Sequence, residues 1–217
     1  MQDTALYIAD KLLKIGAFKI QPDSPFVWGN GWSSPIYSDN RQALSSPAVR
    51  NIIKLEMARA ITGTFGDIDV IAGVATGAIA MGAIVADALG LPYVYVRETP
   101  KDHGLENRIE GNITPDARVA VIEDLLITGK ACLSACEAIL EAGATVSGVV
   151  ALFDYEFSTA KRALRRAKTP FVPITGYNAM LKAALSAGLI GIADKPELDK
   201  WHAAPQDWIP GGLDIEV

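Results

Sequence analysis

Apolar positions along this chain follow two periods, and the places where one gives way to the other mark out its elements. Residues 3–15 carry Leu6, Ala9, Leu12 and Leu13 at helical spacing, which predicts an N-terminal helix. Residues 47–63 read as a second helix, opened by Pro47 and closed by Gly63. From there short apolar runs alternate with helical stretches. DVIAGVA (69–75), LPYVYV (91–96), ARVAVIED (117–124), ATVSGVVALFDY (144–155) and a run around Phe171–Ile174 read as strands. The helical stretches between them are TGAIAMGAIVADALG, GKACLSACEAILEAG and KRALRRA, with a last helix near 177–187. Strand–helix alternation predicts an α/β fold with a mostly parallel, twisted sheet flanked by helices on both faces.

Two regions stand outside this rhythm. Residues 26–41, FVWGNGWSSPIYSDNR, are rich in aromatic and turn residues, with a short strand expected at Ile36-Tyr37. The tail, with Trp201, Pro205, Trp208, Pro210 and Gly211-Gly212, is expected to be irregular and to pack on the domain. The whole chain, 1–217, therefore reads as one domain. Residues 1–45 form a helix and a hood segment, and 46–217 form a core carrying a mobile loop at 97–116.

That loop, RETPKDHGLENRIEGNITPD, is longer than most connections in compact domains. It sets Arg97, Lys101, His103 and Arg108 among Glu98, Asp102, Glu106 and Glu110, with Gly104 and Gly111 as possible hinges. A solvated charged connection and a lid over an anionic substrate both fit this composition.

In open parallel sheets, ligands bind beyond the carboxyl ends of the strands. Three segments converge there: GVATGAI (73–79), ITGKA (127–131) and the loop 97–111. The ITGKA turn offers backbone N–H groups at a helix N-terminus, an anion site through both unpaired donors and dipole. The Thr128 hydroxyl and Lys130 add a hydrogen bond and a charge. Just before it, Glu123-Asp124 would repel a phosphate but accept hydrogen bonds from sugar hydroxyls. A ribose 5-phosphate satisfies both halves. The turn is not a P-loop, because Ala131 follows Gly129-Lys130, and GVATGA lacks the glycine spacing of a dinucleotide fingerprint. That absence also argues against a nucleotide-binding dehydrogenase.

Composition narrows the class further. The chain is 50% hydrophobic and 21% charged, enough for a packed core, and its net charge of −5 argues against a general hold on nucleic acid. The start alternates charge with apolar residues, and no run approaches the ~18 apolar residues of a membrane span. A cytoplasmic location is expected. Cys132 and Cys136 share one helix face without a second Cys/His pair, so they read as buried small hydrophobes and not as a zinc site. His202 reads as a packing or surface residue. Trp28 and Trp32 suit either a base-stacking or a core-covering role, and Arg162, Arg165 and Arg166 read as a solvated helix face.

VAVIEDLLITGKA resembles the phosphoribosyl-pyrophosphate (PRPP) motif of type I phosphoribosyltransferases. VRETPKDHGLENRIEG and GNGWSSPIYSDNR are similar to the catalytic loop and the base-covering segment of the orotate phosphoribosyltransferase family, and ITGYNAML (174–181) also fits. The resemblance implies transfer of ribose 5-phosphate from PRPP to orotate, giving orotidine 5′-monophosphate and pyrophosphate in pyrimidine synthesis. A transferase for another base, or a non-catalytic PRPP-binding regulator, is the alternative. The resemblance also implies Mg²⁺ held through PRPP and not by direct protein ligands. It implies a homodimer too, in which loop 97–111 reaches the partner's site. Carried over by position, Glu123 and Asp124 hold the ribose hydroxyls, and Leu125, Leu126, Ile127, Thr128, Gly129, Lys130 and Ala131 wrap the 5′-phosphate. Arg97, Lys101 and His103 meet the pyrophosphate, with Thr76 and Gly77 on its other side. The catalytic set implied is Arg97, Lys101, His103 and Asp124. Ile127, Tyr155 and Gly29 fall toward orotate. Ile127 stands where the family commonly has Ser or Thr, and Gly29 and Tyr155 where some members use Lys and Arg.

Overall fold

The computed structural model describes residues 3–22, 24–29, 31–99 and 108–210. Helix α1 (Thr4–Lys14) begins where the sequence offers a cap: the Asp3 carboxylate accepts from the N–H groups of Ala5 and Leu6 at 3.0 and 3.3 Å. Its buried stripe is Ile8, Ala9, Leu12 and Leu13. Four short strands follow, β1 (Phe18–Ile20), β2 (Phe26–Val27), β3 (Ser33–Ser34) and β4 (Ile36–Ser38). They pair antiparallel as β1–β4 and β2–β3. A 3₁₀ turn (Asn40–Ser45) then leads into α2 (Pro47–Thr64).

The core continues as β5 (Val70–Val74), α3 (Ile79–Leu89), β6 (Tyr93–Val96) and β7 (Ile109–Glu110). After these come β8 (Arg118–Leu126), α4 (Lys130–Glu141), β9 (Thr145–Asp154), α5 (Ser158–Arg166), β10 (Phe171–Gly176) and α6 (Tyr177–Ser186). Strands β5 to β10 form one sheet in the order β10-β9-β8-β5-β6-β7, parallel except for β7. All five residues of β5, and Val119 to Glu123 in succession on β8, are buried. Side chains of a strand alternate between faces, so consecutive burial means that the sheet is covered on both sides. Helix α2 packs on both α1 and α3, and α4 packs on β5, β8, β9 and α5. This is the expected α/β fold, with strand ends within a residue or two of those read from the sequence.

Two expectations are corrected. The connection after β6 is not irregular throughout: Ile109 and Glu110 pair antiparallel with Val96 and Tyr95, and the Arg97 N–H donates to the Arg108 carbonyl at 2.8 Å. The apolar Ile109 inside a charged run was the available signal. The tail is not irregular throughout either. Helix α7 (Lys195–Ala203) has Pro196 in its first turn, a Lys195–Asp199 pair one turn apart, and Leu198 and Trp201 both fully buried. Proline at the start and apolar residues three apart are helix signals that the surrounding Gly and Pro obscured.

The hood rests on the core through aromatic packing. Trp28 lies 5.0 Å from Tyr155 and 5.9 Å edge-on to Trp201, and its indole N–H donates to the Ile36 carbonyl at 3.1 Å. Trp201 in turn donates to the Ser33 carbonyl at 3.2 Å. Trp28 therefore covers the core. His202 packs as expected, with its ring stacked 4.0 Å from Tyr177 and its Nε2 2.7 Å from the Tyr155 carbonyl.

Candidate active site

Strand β8 delivers Glu123 and Asp124 to its carboxyl end in different surroundings. Glu123 is 4% exposed, and its carboxylate accepts the Asp124 N–H at 3.0 Å. Burial, reinforced by the adjacent Asp124 charge, pushes its pKa well above the usual carboxylate range. Burial also raises Asp124, although its neighbours, Arg41 among them, oppose the shift. A carboxylate with high proton affinity is a strong hydrogen-bond acceptor, which suits recognition of vicinal sugar hydroxyls.

Beyond the pair β8 runs on to Leu126, and the chain then turns through residues 127–129 into α4. Gly129 adopts φ 80°, a left-handed conformation natural to glycine, and no side chain caps the helix. The first amides of α4 are left for a ligand anion. The Thr128 hydroxyl accepts weakly from the Lys130 N–H at 3.4 Å. Burial raises the Cys132 thiol beyond the range of ordinary titration and pushes Cys136 up to about 12, so neither is a nucleophile.

A cavity of about 450 Å³ lies over this turn, a size suited to a small ligand. Arg97, Glu123 and the run Leu125–Ala131 line it. Arg108 lines it too, donating to the Ser134 hydroxyl at 2.8 Å and to the Arg97 carbonyl at 3.3 Å. Arg97 sits 3.7 Å from Glu110. The fold thus brings cations and the uncapped start of α4 to one cavity. Gly77 lies against the Asp124 carboxylate so closely that a β-carbon there would overlap it. Thr76, preceded by a cis Ala75–Thr76 peptide, is exposed on the same turn.

Other expected residues lie elsewhere. Lys101 and His103 fall outside the described residues. Gly29 is exposed at the β2–β3 turn. Tyr155 is 1% exposed, its ring stacked on Phe157 at 5.4 Å inside the aromatic cluster, and does not line the cavity.

Two hood residues complete the surroundings of Asp124 without having been singled out in the sequence. Asn40, 4% exposed, donates from Nδ2 to the Asp124 carbonyl at 2.7 Å. Arg41, bonded to Asp39 at 2.7 Å, places a cation near Asp124. Their signal was the Asp-Asn-Arg run closing the hood, legible only once the hood is known to fold over β8.

A parallel sheet whose acidic strand end feeds an uncapped helix N-terminus suits a phosphoribosyltransferase, and the family described as "Phosphoribosyl transferase domain" matches residues 42–170. An orotate phosphoribosyltransferase from Phocaeicola vulgatus is 53% identical over 203 residues, covering 94% of this chain and 96% of its own. One from Porphyromonas gingivalis is 49% identical over 96% of this chain and 99% of its own. The crystal structure of the Aeropyrum pernix orotate phosphoribosyltransferase superposes with a TM-score of 0.73 at 26% identity, covering 85% of this chain and 99% of that one. The chain belongs to the orotate phosphoribosyltransferase family.

Proposed function

We propose that this chain transfers the 5-phosphoribosyl group of PRPP to orotate, releasing pyrophosphate and forming orotidine 5′-monophosphate in pyrimidine synthesis. The observation that carries this is the joining, at one strand end, of two adjacent carboxylates with an uncapped helix N-terminus, whose turn lines one cavity together with Glu123. The carboxylates accept the ribose 2′- and 3′-hydroxyls while the amides of Ile127–Ala131 and Lys130 take the 5′-phosphate. Ribose is thereby held at both ends, fixing its anomeric carbon for attack by the base nitrogen.

The C–O bond to pyrophosphate breaks and the C–N bond to orotate forms through an oxocarbenium-like centre, as in glycoside cleavage. Charge builds on the leaving pyrophosphate, and Arg97, with Lys101 and His103 from the same segment, is assigned to stabilise it. Asp124, whose carboxylate lies against Gly77, is assigned to face the positive charge that develops on the sugar. Lys101 and His103 are assigned on sequence resemblance alone.

Among the described residues no group of three or more His, Cys, Asp or Glu is placed to hold a metal. The two carboxylates offer hard oxygen donors of the kind that suit Mg²⁺ when substrate phosphates supply most of its ligands. Mg²⁺ bound through PRPP would neutralise charge on the pyrophosphate. A homodimer sharing loop 97–111 and a cytoplasmic location complete the reading and rest on resemblance. No helix among the described residues is long and apolar enough to cross a membrane.

Loss of orotate's ultraviolet absorbance on adding PRPP and Mg²⁺, with one pyrophosphate released per orotate consumed, is the expected outcome. Thermal protection by PRPP without turnover of orotate would replace this reading with a regulator or a transferase for another base. Light scattering on the eluting protein checks the dimer.

A further inference from the structure

We propose that Arg162 determines specificity for orotate by binding its carboxylate in a small cavity that adjoins the main one at Ile127. The proposal rests on orotate as the acceptor and adds the side chain that reads its charge. A carboxylate leaving water for an apolar wall needs charge-assisted donors. The positions that face orotate by resemblance supply none, because Gly29 has no side chain and Tyr155 is 1% exposed within the aromatic cluster. The described cations lining the main cavity belong to its phosphate side. Lys130 starts α4, Arg97 sits beside Glu110, and Arg108 is engaged with Ser134.

A second cavity of about 70 Å³ shares Ile127 with the first and is walled by Trp32, Phe157, Arg162 and His202. At about 70 Å³ against about 450 Å³ it is the smaller of the two spaces, suited to a carboxylate while the larger one takes the ring. The ring is therefore left on the Ile127 side, toward the ribose. Arg162, on α5, is exposed, and its side chain makes no hydrogen bond or ion pair among the described residues. Its planar fork of donors is free for the bidentate contact that suits a carboxylate. His202 does not compete for this role, since its Nε2 is held 2.7 Å from the Tyr155 carbonyl. Trp32 and Phe157, 6.5 Å apart and steeply inclined, supply an aromatic wall beside the guanidinium.

The test is steady-state kinetics on the full-length enzyme, comparing wild type with Arg162→Ala and Arg162→Lys, with orotate and uracil as acceptors. Arg162→Ala is expected to raise KM for orotate about ten- to a hundredfold, the equivalent of one lost charge-assisted hydrogen bond. KM for PRPP should stay within about twofold, because the phosphate side is untouched. Arg162→Lys should fall between, keeping the charge but not the fork. The preference for orotate over uracil, which lacks the carboxylate, should shrink by the same factor as the orotate term. Unchanged KM for orotate in Arg162→Ala, or equal rises for orotate and PRPP, would overturn the assignment alone. Wild-type enzyme inert toward orotate would overturn the acceptor itself and the assignment with it.

Discussion

The Asn40–Asp124 contact joins residues 84 apart in sequence and sets the hood against the acidic strand end, so its loss has a calculable effect. Asn40→Asp keeps the shape and the acceptor oxygen that the Ser38 hydroxyl donates to at 3.3 Å, and removes the N–H that bonds the Asp124 carbonyl. Two acceptors then face each other at a site 4% exposed. A buried acceptor left without its donor costs about 1–3 kcal/mol. When ionised, the introduced carboxyl also adds a negative charge beside Glu123 and Asp124. About 3 kcal/mol in total is expected at pH 8. Unfolding entropy near 2.1 cal/mol/K per residue makes that about 6–7 °C in Tm for a chain of this length. At pH 5.5 the introduced group, raised by burial and by its acidic neighbours, takes up a proton, regains a donor, and the deficit should shrink. Calorimetry at the two pH values measures the stability, and KM for PRPP reads the displacement of Asp124, with a rise of about tenfold expected. Asn40→Ala isolates the lost bond without the added charge. Equal Tm for wild type and Asn40→Asp at pH 8 would refute the claim that this bond holds the hood.

Gly77→Ala should lower kcat/KM for PRPP about a hundredfold with a Tm change of a few degrees, because its methyl group displaces the Asp124 carboxylate; full activity would show that the close approach has no function. Asp154, 2% exposed and raised by burial from 3.8 to about 6, disfavours the fold once ionised. This cost is absent below the unfolded value, grows between the two, and is complete above about 6. Asp154→Asn, which keeps the acceptor for the Glu156 N–H, should therefore stabilise by up to about 3 kcal/mol at pH 8 and about half that at pH 5 in urea titrations. Cys132 and Cys136, buried with raised pKa values, should resist a thiol reagent at pH 8 in the native protein and both react in denaturant.

The parallel core was legible because its strands are built around apolar runs, such as Val70–Val74 and residues 149–153, and two of the helices between them end at a glycine, Gly90 and Gly143. The acidic strand end and the turn into α4 were legible because their parts lie within one run, from Glu123 to Ala131. Relations between distant segments were not. Asn40 acts on Asp124 only after a hairpin has folded over β8, and periodicity does not encode that. Tyr155 follows the last residue of β9 at the site's own edge, yet its ring turns inward because Trp28, Phe157 and Trp201 surround it. Helix α7 was hidden by the Gly and Pro on either side of it, although Leu198 and Trp201 marked its buried face.

The hood is fastened by groups from the far end of the chain. The Trp201 indole donates to the Ser33 carbonyl, and the Thr175 hydroxyl donates to the Ala5 carbonyl at 2.7 Å. Helix α1 packs against β10 and α6. A ribosome adding about 5–20 residues per second needs roughly 10–35 s to make the 170 residues between Ala5 and its partner. For that interval the amino-terminal segment has been synthesised and its seat has not. Helix α1 is then made well before it can dock, and a nascent chain stalled before α7 would present β8 and its acidic end without a fastened hood. Competence to bind substrate therefore waits until Trp201 has been made and has bonded to Ser33, which makes the unfinished chain a poor partner for its ligand.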